Sequence, residues 1–94
     1  MSTASPSPAL EQLIGRPVVL DVASLYVYLG TLAEVDHRYL ILTDADVHDL
    51  RDTTTTRELY VLEAKRHDLS VNRRRVLVNR NDVVSISALA DIVE

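Results

Sequence analysis

The 94-residue chain has no cysteine, no tryptophan and no phenylalanine, and only two glycines and three prolines. Without thiols there is no disulfide framework and no thiolate zinc or iron–sulfur site, which fits a reducing compartment. Gly15 and Gly30 stand alone, so no glycine-rich phosphate loop can be drawn. No apolar run approaches the roughly 20 residues of a membrane span. Met1 to Ala9 has neither the basic start nor the apolar stretch of a signal peptide, and the expectation is a cytoplasmic protein without a membrane partner. With no phenylalanine or tryptophan, the large aromatic side chains are the four tyrosines Tyr26, Tyr28, Tyr39 and Tyr60. They are expected to serve packing, with Tyr26 and Tyr28 on one strand face.

What is present suits one small domain: 10.5 kDa, 47% apolar and 26% charged. A chain of this length buries only about 60–65% of its unfolded surface, which makes cover from neighbouring copies advantageous. The net charge of −4 opposes indiscriminate binding to polyanions. The distribution is uneven, however. Residues 1–56 carry three basic and eight acidic side chains, residues 57–80 seven and three, and residues 81–94 none and three.

Residues 1–7, rich in serine and proline, read as a disordered tail before a single domain over residues 8–94. Ser7 reads as an N-cap and Pro8 as the first helical residue, with Leu10, Leu13 and Ile14 on one face and Gly15 as the terminator. Val18 to Asp21, Tyr26 to Val35 and Tyr39 to Asp44 read as strands, and so do Val76 to Asn79 and Val83 to Ser87 around the turn Arg80-Asn81-Asp82. Gly30 inside the second run predicts a sharp bend or a close backbone approach. The segment over residues 49–72 is too long to be structureless in a compact domain. Thr55 and Glu58 have capping-box spacing, and Glu58 to His67 consists of good helix formers, predicting a helical insertion. The apolar run Leu59 to Leu62 leaves a strand as the competing reading.

Catalysis finds little support. Ser24, Ser70, Ser85 and Ser87 lack a spaced base and orienting partner, so no enzymatic activity and no cofactor are expected. Asp44, Asp46 and His48 would share one face of a regular strand, with Asp49 beside them. The set lacks the second ligand pair of a defined metal site, and no metal is assigned.

Gly15 to Ala45, with GRPVVLD, YVYLGTL, a turn beginning at Asp36 and YLILTDA, resembles the first motif of the Sm/Sm-like (LSm) family. The second motif is similar to VLVNRNDVVSI, Val76 to Ile86. The most specific portion is Tyr28-Leu29-Gly30-Thr31-Leu32 followed by Asp36. The resemblance implies a mainly β, SH3-like bent five-stranded barrel with an N-terminal helix, assembled into a ring of identical subunits. Unpaired strand edges need partners, and the implied seam comprises Val76, Leu77, Val78, Val83, Val84 and Ile86. It further implies that the turns after strands two and four meet at a central opening, where His37, Arg38, Asn79 and Arg80 would hold single-stranded RNA. Leu40 stands where the family has a base-reading asparagine, and Asn79-Arg80 stand where it has Arg-Gly, so the uridine pocket is altered. The alternative is a structural or protein-interaction ring that docks partners through Glu58 to His67, with no nucleic-acid role.

Overall fold

The computed structural model describes residues 7–52 and 55–94. Of the expected tail, residues 1–6 lie outside the described residues, as do 53 and 54 of the expected insertion. Ser7 is the N-cap, its side chain accepting from the Leu10 amide at 3.4 Å, and Pro8 opens helix α1 (Pro8–Glu11). The helix is shorter than expected. It gives way to turns after Glu11, so the helical period no longer holds at Ile14, which is 42% exposed, while Leu10 and Leu13 rest on the barrel core. Gly15 takes a left-handed φ of +89°, a conformation that favours glycine, and its amide donates to the Leu32 carbonyl at 2.7 Å.

Five antiparallel strands follow, β1 (Pro17–Val22), β2 (Tyr26–Val35), β3 (Tyr39–Asp49), β4 (Arg73–Asn79) and β5 (Val83–Ala88), in the spatial order β4-β3-β2-β1-β5. The sheet bends at Gly30. The register with β3 slips there, from Leu29 opposite Asp46 to Thr31 opposite Thr43, and Asp44 swings to a φ of +49°. A Cβ on Gly30 would lie 3.0 Å from the Ala45 Cα and 3.1 Å from the Thr43 carbonyl oxygen. The close approach expected of Gly30 is therefore present, and glycine is required by space rather than by its own dihedral angles.

The same bulge explains why β3 runs to Asp49 instead of ending at Asp44. Side chains up to Leu42 alternate in one phase, and beyond the bulge Ala45 and Val47 take over the inward positions. Asp44 therefore leaves the alternation, and the expected common face of Asp44, Asp46 and His48 does not form. Among the described residues no group of three or more side chains is placed to hold a metal ion. β4 likewise starts earlier than expected, at Arg73, because Arg73 and Arg75 pair with Ala45 and Thr43.

The insertion contains helix α2 (Arg57–His67), which settles the helix-or-strand ambiguity. Its cap is Thr56 rather than Thr55: the Thr56 hydroxyl accepts from the Leu59 amide at 3.2 Å. Lys65, Arg66 and His67 occupy the last turn, where cations favour the helix dipole.

The apolar residues divide between the two faces of the sheet. Val18, Leu20, Val22, Leu32, Leu40, Leu42, Ala45 and Val78 fill the barrel interior. On the opposite face Val19, Val27 and Leu29 are covered by Val61 and Ala64 of α2. The insertion thus supplies the second half of the core, and fully burying a side chain such as Val61 contributes on the order of 1.5–3 kcal/mol. A polar hook holds it in place: the Tyr60 hydroxyl donates to the Asp46 carboxylate at 2.6 Å, and its ring stacks on His48 at 4.0 Å. Tyr26 and Tyr28 do share a face, with ring centroids 6.3 Å apart. No helix among the described residues is long and apolar enough to cross a membrane.

Candidate nucleic-acid interface

The turn after β2 is organised by one carboxylate. Asp36 Oδ1 accepts from the amides of Arg38 at 2.7 Å and Tyr39 at 2.6 Å, while the Asp36 amide donates to the Tyr39 carbonyl at 3.0 Å. An aspartate is suited to this because its short side chain bonds its own backbone two and three residues on. The Tyr39 and Arg38 amides, with smaller help from the nearby His37 and Arg80 charges, hold the Asp36 carboxyl below the usual carboxylate range. His37 and Arg38 project from this turn into solvent.

The turn after β4 is built in the same manner. Asn79 Oδ1 accepts from the Asn81 amide at 2.9 Å and caps the short 3-10 turn Arg80–Asp82. Because Tyr39 pairs with Asn79 in the β3–β4 ladder, the two turns leave the sheet side by side. Arg80 joins them: its amide donates to the Arg38 carbonyl at 2.9 Å, and its guanidinium donates to the Asp36 carbonyl. His37, Arg38, Asn79 and Arg80, distant in sequence, therefore gather at one end of the barrel. The Asn79 side-chain oxygen Oδ1 and part of the Arg80 fork are engaged in the frame, whereas His37 and Arg38 remain exposed. Leu40, at the position of the family asparagine, is buried in the barrel interior and presents nothing at this surface.

The six seam candidates separate into two kinds. Val78 is buried in this chain's own barrel core, and Val76, Val83 and Ile86 pack against the same core. Leu77 is 47% exposed and Val84 is 73% exposed. Both strands lie at the ends of the sheet, β4 bonded only to β3 and β5 only to β1 among the described residues. Each therefore offers an open row of backbone donors and acceptors.

The sequence named Tyr60 as a packing ring and Asp46 as one of a set of carboxylates, but not the hydrogen bond between them. The three-residue apolar run Val18-Val19-Leu20 signals a strand buried on both faces, and so a second covering layer, but not which residues fasten it.

The architecture is that of a small, strongly bent β-barrel closed on one face by a helix. A scan against protein-family models gives no match, and neither does a search of curated proteins. Solved structures do match. A Pyrococcus abyssii Sm protein, solved in complex with a uridine heptamer, is similar over 88% of this chain and 99% of its own, at 13% identity and a TM-score of 0.59. An Sm-like protein from Archaeoglobus fulgidus is similar over 94% and 99%, at 16% identity and a TM-score of 0.60. A chain of the NatC complex bound to CoA is similar over 94% and 88%, at 18% identity and a TM-score of 0.54. The fold of this protein is the Sm-like fold, modified by a helical insertion between β3 and β4.

Proposed function

We propose that this protein is a non-enzymatic, Sm-like module that assembles with copies of itself through β4 and β5 and holds single-stranded RNA where His37, Arg38, Asn79 and Arg80 gather. The observation that carries the reading is the joining of the two turns by Arg80, which fixes two arginines and a histidine at one end of the barrel. Arg38 supplies a charge for phosphate and a planar surface for a base, and His37 a further stacking face. Repetition in a ring multiplies these groups and overcomes locally the repulsion expected from a net charge of −4. The uridine heptamer bound by the Pyrococcus abyssii Sm protein supports RNA as the ligand class. With Leu40 committed to the core, recognition rests on backbone charge and stacking rather than on an amide reading uracil.

The test is an anisotropy titration of short single-stranded RNA at two salt concentrations against the wild type and the double variant Arg38→Ala, Arg80→Ala. Loss of binding in the variant at unchanged oligomer size, with a wild-type affinity that falls as salt rises, is the expected result. Absence of binding at low salt refutes the RNA assignment.

A second reading is supported by the NatC chain, an instance of this fold inside a multi-protein complex. In that case the assembly is a protein-interaction scaffold whose partner docks on the outward side of α2. The double arginine variant then changes nothing measurable.

A further inference from the structure

The arginine run that opens β4 has no acidic counterpart among the described residues. Arg73, Arg74 and Arg75 are all exposed, and none forms an ion pair with a described residue. The opposite edge of the sheet has the reverse character. From residue 81 to residue 94 there is no lysine or arginine; of the three acidic groups there, Glu94 is paired with Arg66 at 2.7 Å, and Asp82 and Asp91 form no ion pair with a described residue. Beside β5 lies a mainly apolar groove of about 180 Å³ between that strand, α2 and the C-terminal segment, lined by Val19, Glu58, Val61, Leu62, Ser87 and Ile92. Asp21 and Arg57 also border it but neutralise each other at 3.2 Å, with Ser85 on the second Asp21 oxygen at 2.9 Å. Glu58 has no ion-pair partner among the described residues, so it carries the uncompensated charge of the groove.

We infer that this groove, built by the insertion helix against β5, receives the β4 arginine run of a second copy of the chain. An arginine suits it on both counts: its aliphatic stem lies along Val61 and Leu62, and its planar fork meets the Glu58 carboxylate. The occupant is another copy because β4 and β5 are the two end strands of the sheet and are not bonded to each other within the chain, while head-to-tail stacking of identical chains brings the basic β4 edge of one copy to the Glu58 groove of the next. The inference rests on the proposed pairing of copies through β4 and β5, and it assigns to α2 the electrostatic latch of that seam.

The absence of cysteine allows a direct test in the full chain. Glu58→Cys is combined in one chain with Arg74→Cys, and separately with Arg75→Cys, and both variants are oxidised gently. A head-to-tail latch gives a ladder of covalent multimers on a non-reducing gel, whereas each single variant stops at dimers. In parallel, Arg74→Glu with Arg75→Glu is expected to reduce the assembly by light scattering, and adding Glu58→Arg to restore it. Wild-type multimers accompanied by neither ladder nor charge rescue would overturn the latch while leaving the seam intact. A wild-type protein of about 10 kDa in solution at micromolar concentration removes both. Loss of RNA binding without any change of oligomer size in the arginine-reversed variant would hand the run to nucleic acid instead.

Discussion

Replacing Tyr60 by phenylalanine removes the hydrogen bond that ties the insertion helix to β3, while the separate Arg57–Asp21 pair to β1 stays in place. The ring and its stacking on His48 are retained, and one oxygen is removed. Asp46, at 3% exposure, then loses its 2.6 Å donor and keeps, among the described residues, the Ser70 amide at 3.4 Å. A hydrogen bond to a buried charged group contributes about 1.5–3 kcal/mol, and the cost of removal sits toward the upper end when the charge is left behind without water. At roughly 4–8 °C per kcal/mol for a domain of this size, the melting temperature should drop by about 10 °C or more. Chemical and thermal denaturation followed by circular dichroism, at one fixed protomer concentration, measures it. The alkaline limb gives an independent check. Burial first, and the Asp46 carboxylate next, raise the Tyr60 pKa above its ordinary 10. A group that holds its proton more tightly when folded contributes fully below its unfolded pKa and loses that contribution as pH rises beyond it. Wild-type stability should therefore decline above about pH 10, and the Tyr60→Phe protein should show a flatter limb. A variant within about 0.5 kcal/mol of wild type, with an unchanged alkaline limb, refutes the hook.

Gly30→Ala places a methyl group against the Ala45 backbone and the Thr43 carbonyl, and should destabilise by about 1–3 kcal/mol in urea titrations. A neutral result there would mean that the bulge opens without cost. Asp36→Ala should weaken RNA retention by freeing the turn, whereas Asp36→Asn, which keeps an acceptor for the Arg38 and Tyr39 amides, should retain most of it; equal effects would detach the turn from binding. Since the Asp36 carboxyl titrates below the usual range, its contribution is in place above about pH 4 and fades only as pH falls through the lowered value. Wild-type turn geometry, followed by the Arg38 and Tyr39 amide resonances, should accordingly survive at pH 5.

The barrel was legible because its strands announce themselves by period and composition. Tyr26–Val35 is bounded as expected, and Gly30 marked the bend. What stayed hidden has a common cause. The bulge at Asp44 shifts the inward phase by one residue, so the polar stretch after it read as a strand end and its carboxylates as one face. Arg73 to Arg75 carry no apolar signal, although their backbones pair as well as any others. At the candidate interface the sequence named the four residues that come together, but not the means. Asp36 and the main chain supply the bonds, and neither the Arg80 amide nor the Arg38 carbonyl leaves a mark in a sequence. The Tyr60–Asp46 contact links residues on different elements, for which local patterns carry no information.

The junction of the two turns is made from main-chain atoms together with the Asp36 and Asn79 side-chain oxygens and the Arg80 guanidinium. None of its hydrogen bonds uses the side chains at positions 37 and 38. Those two positions are therefore exchangeable fittings on a fixed mount: new chemistry can be grafted there, whether aromatic, acidic or amide, without disturbing the chassis that carries it.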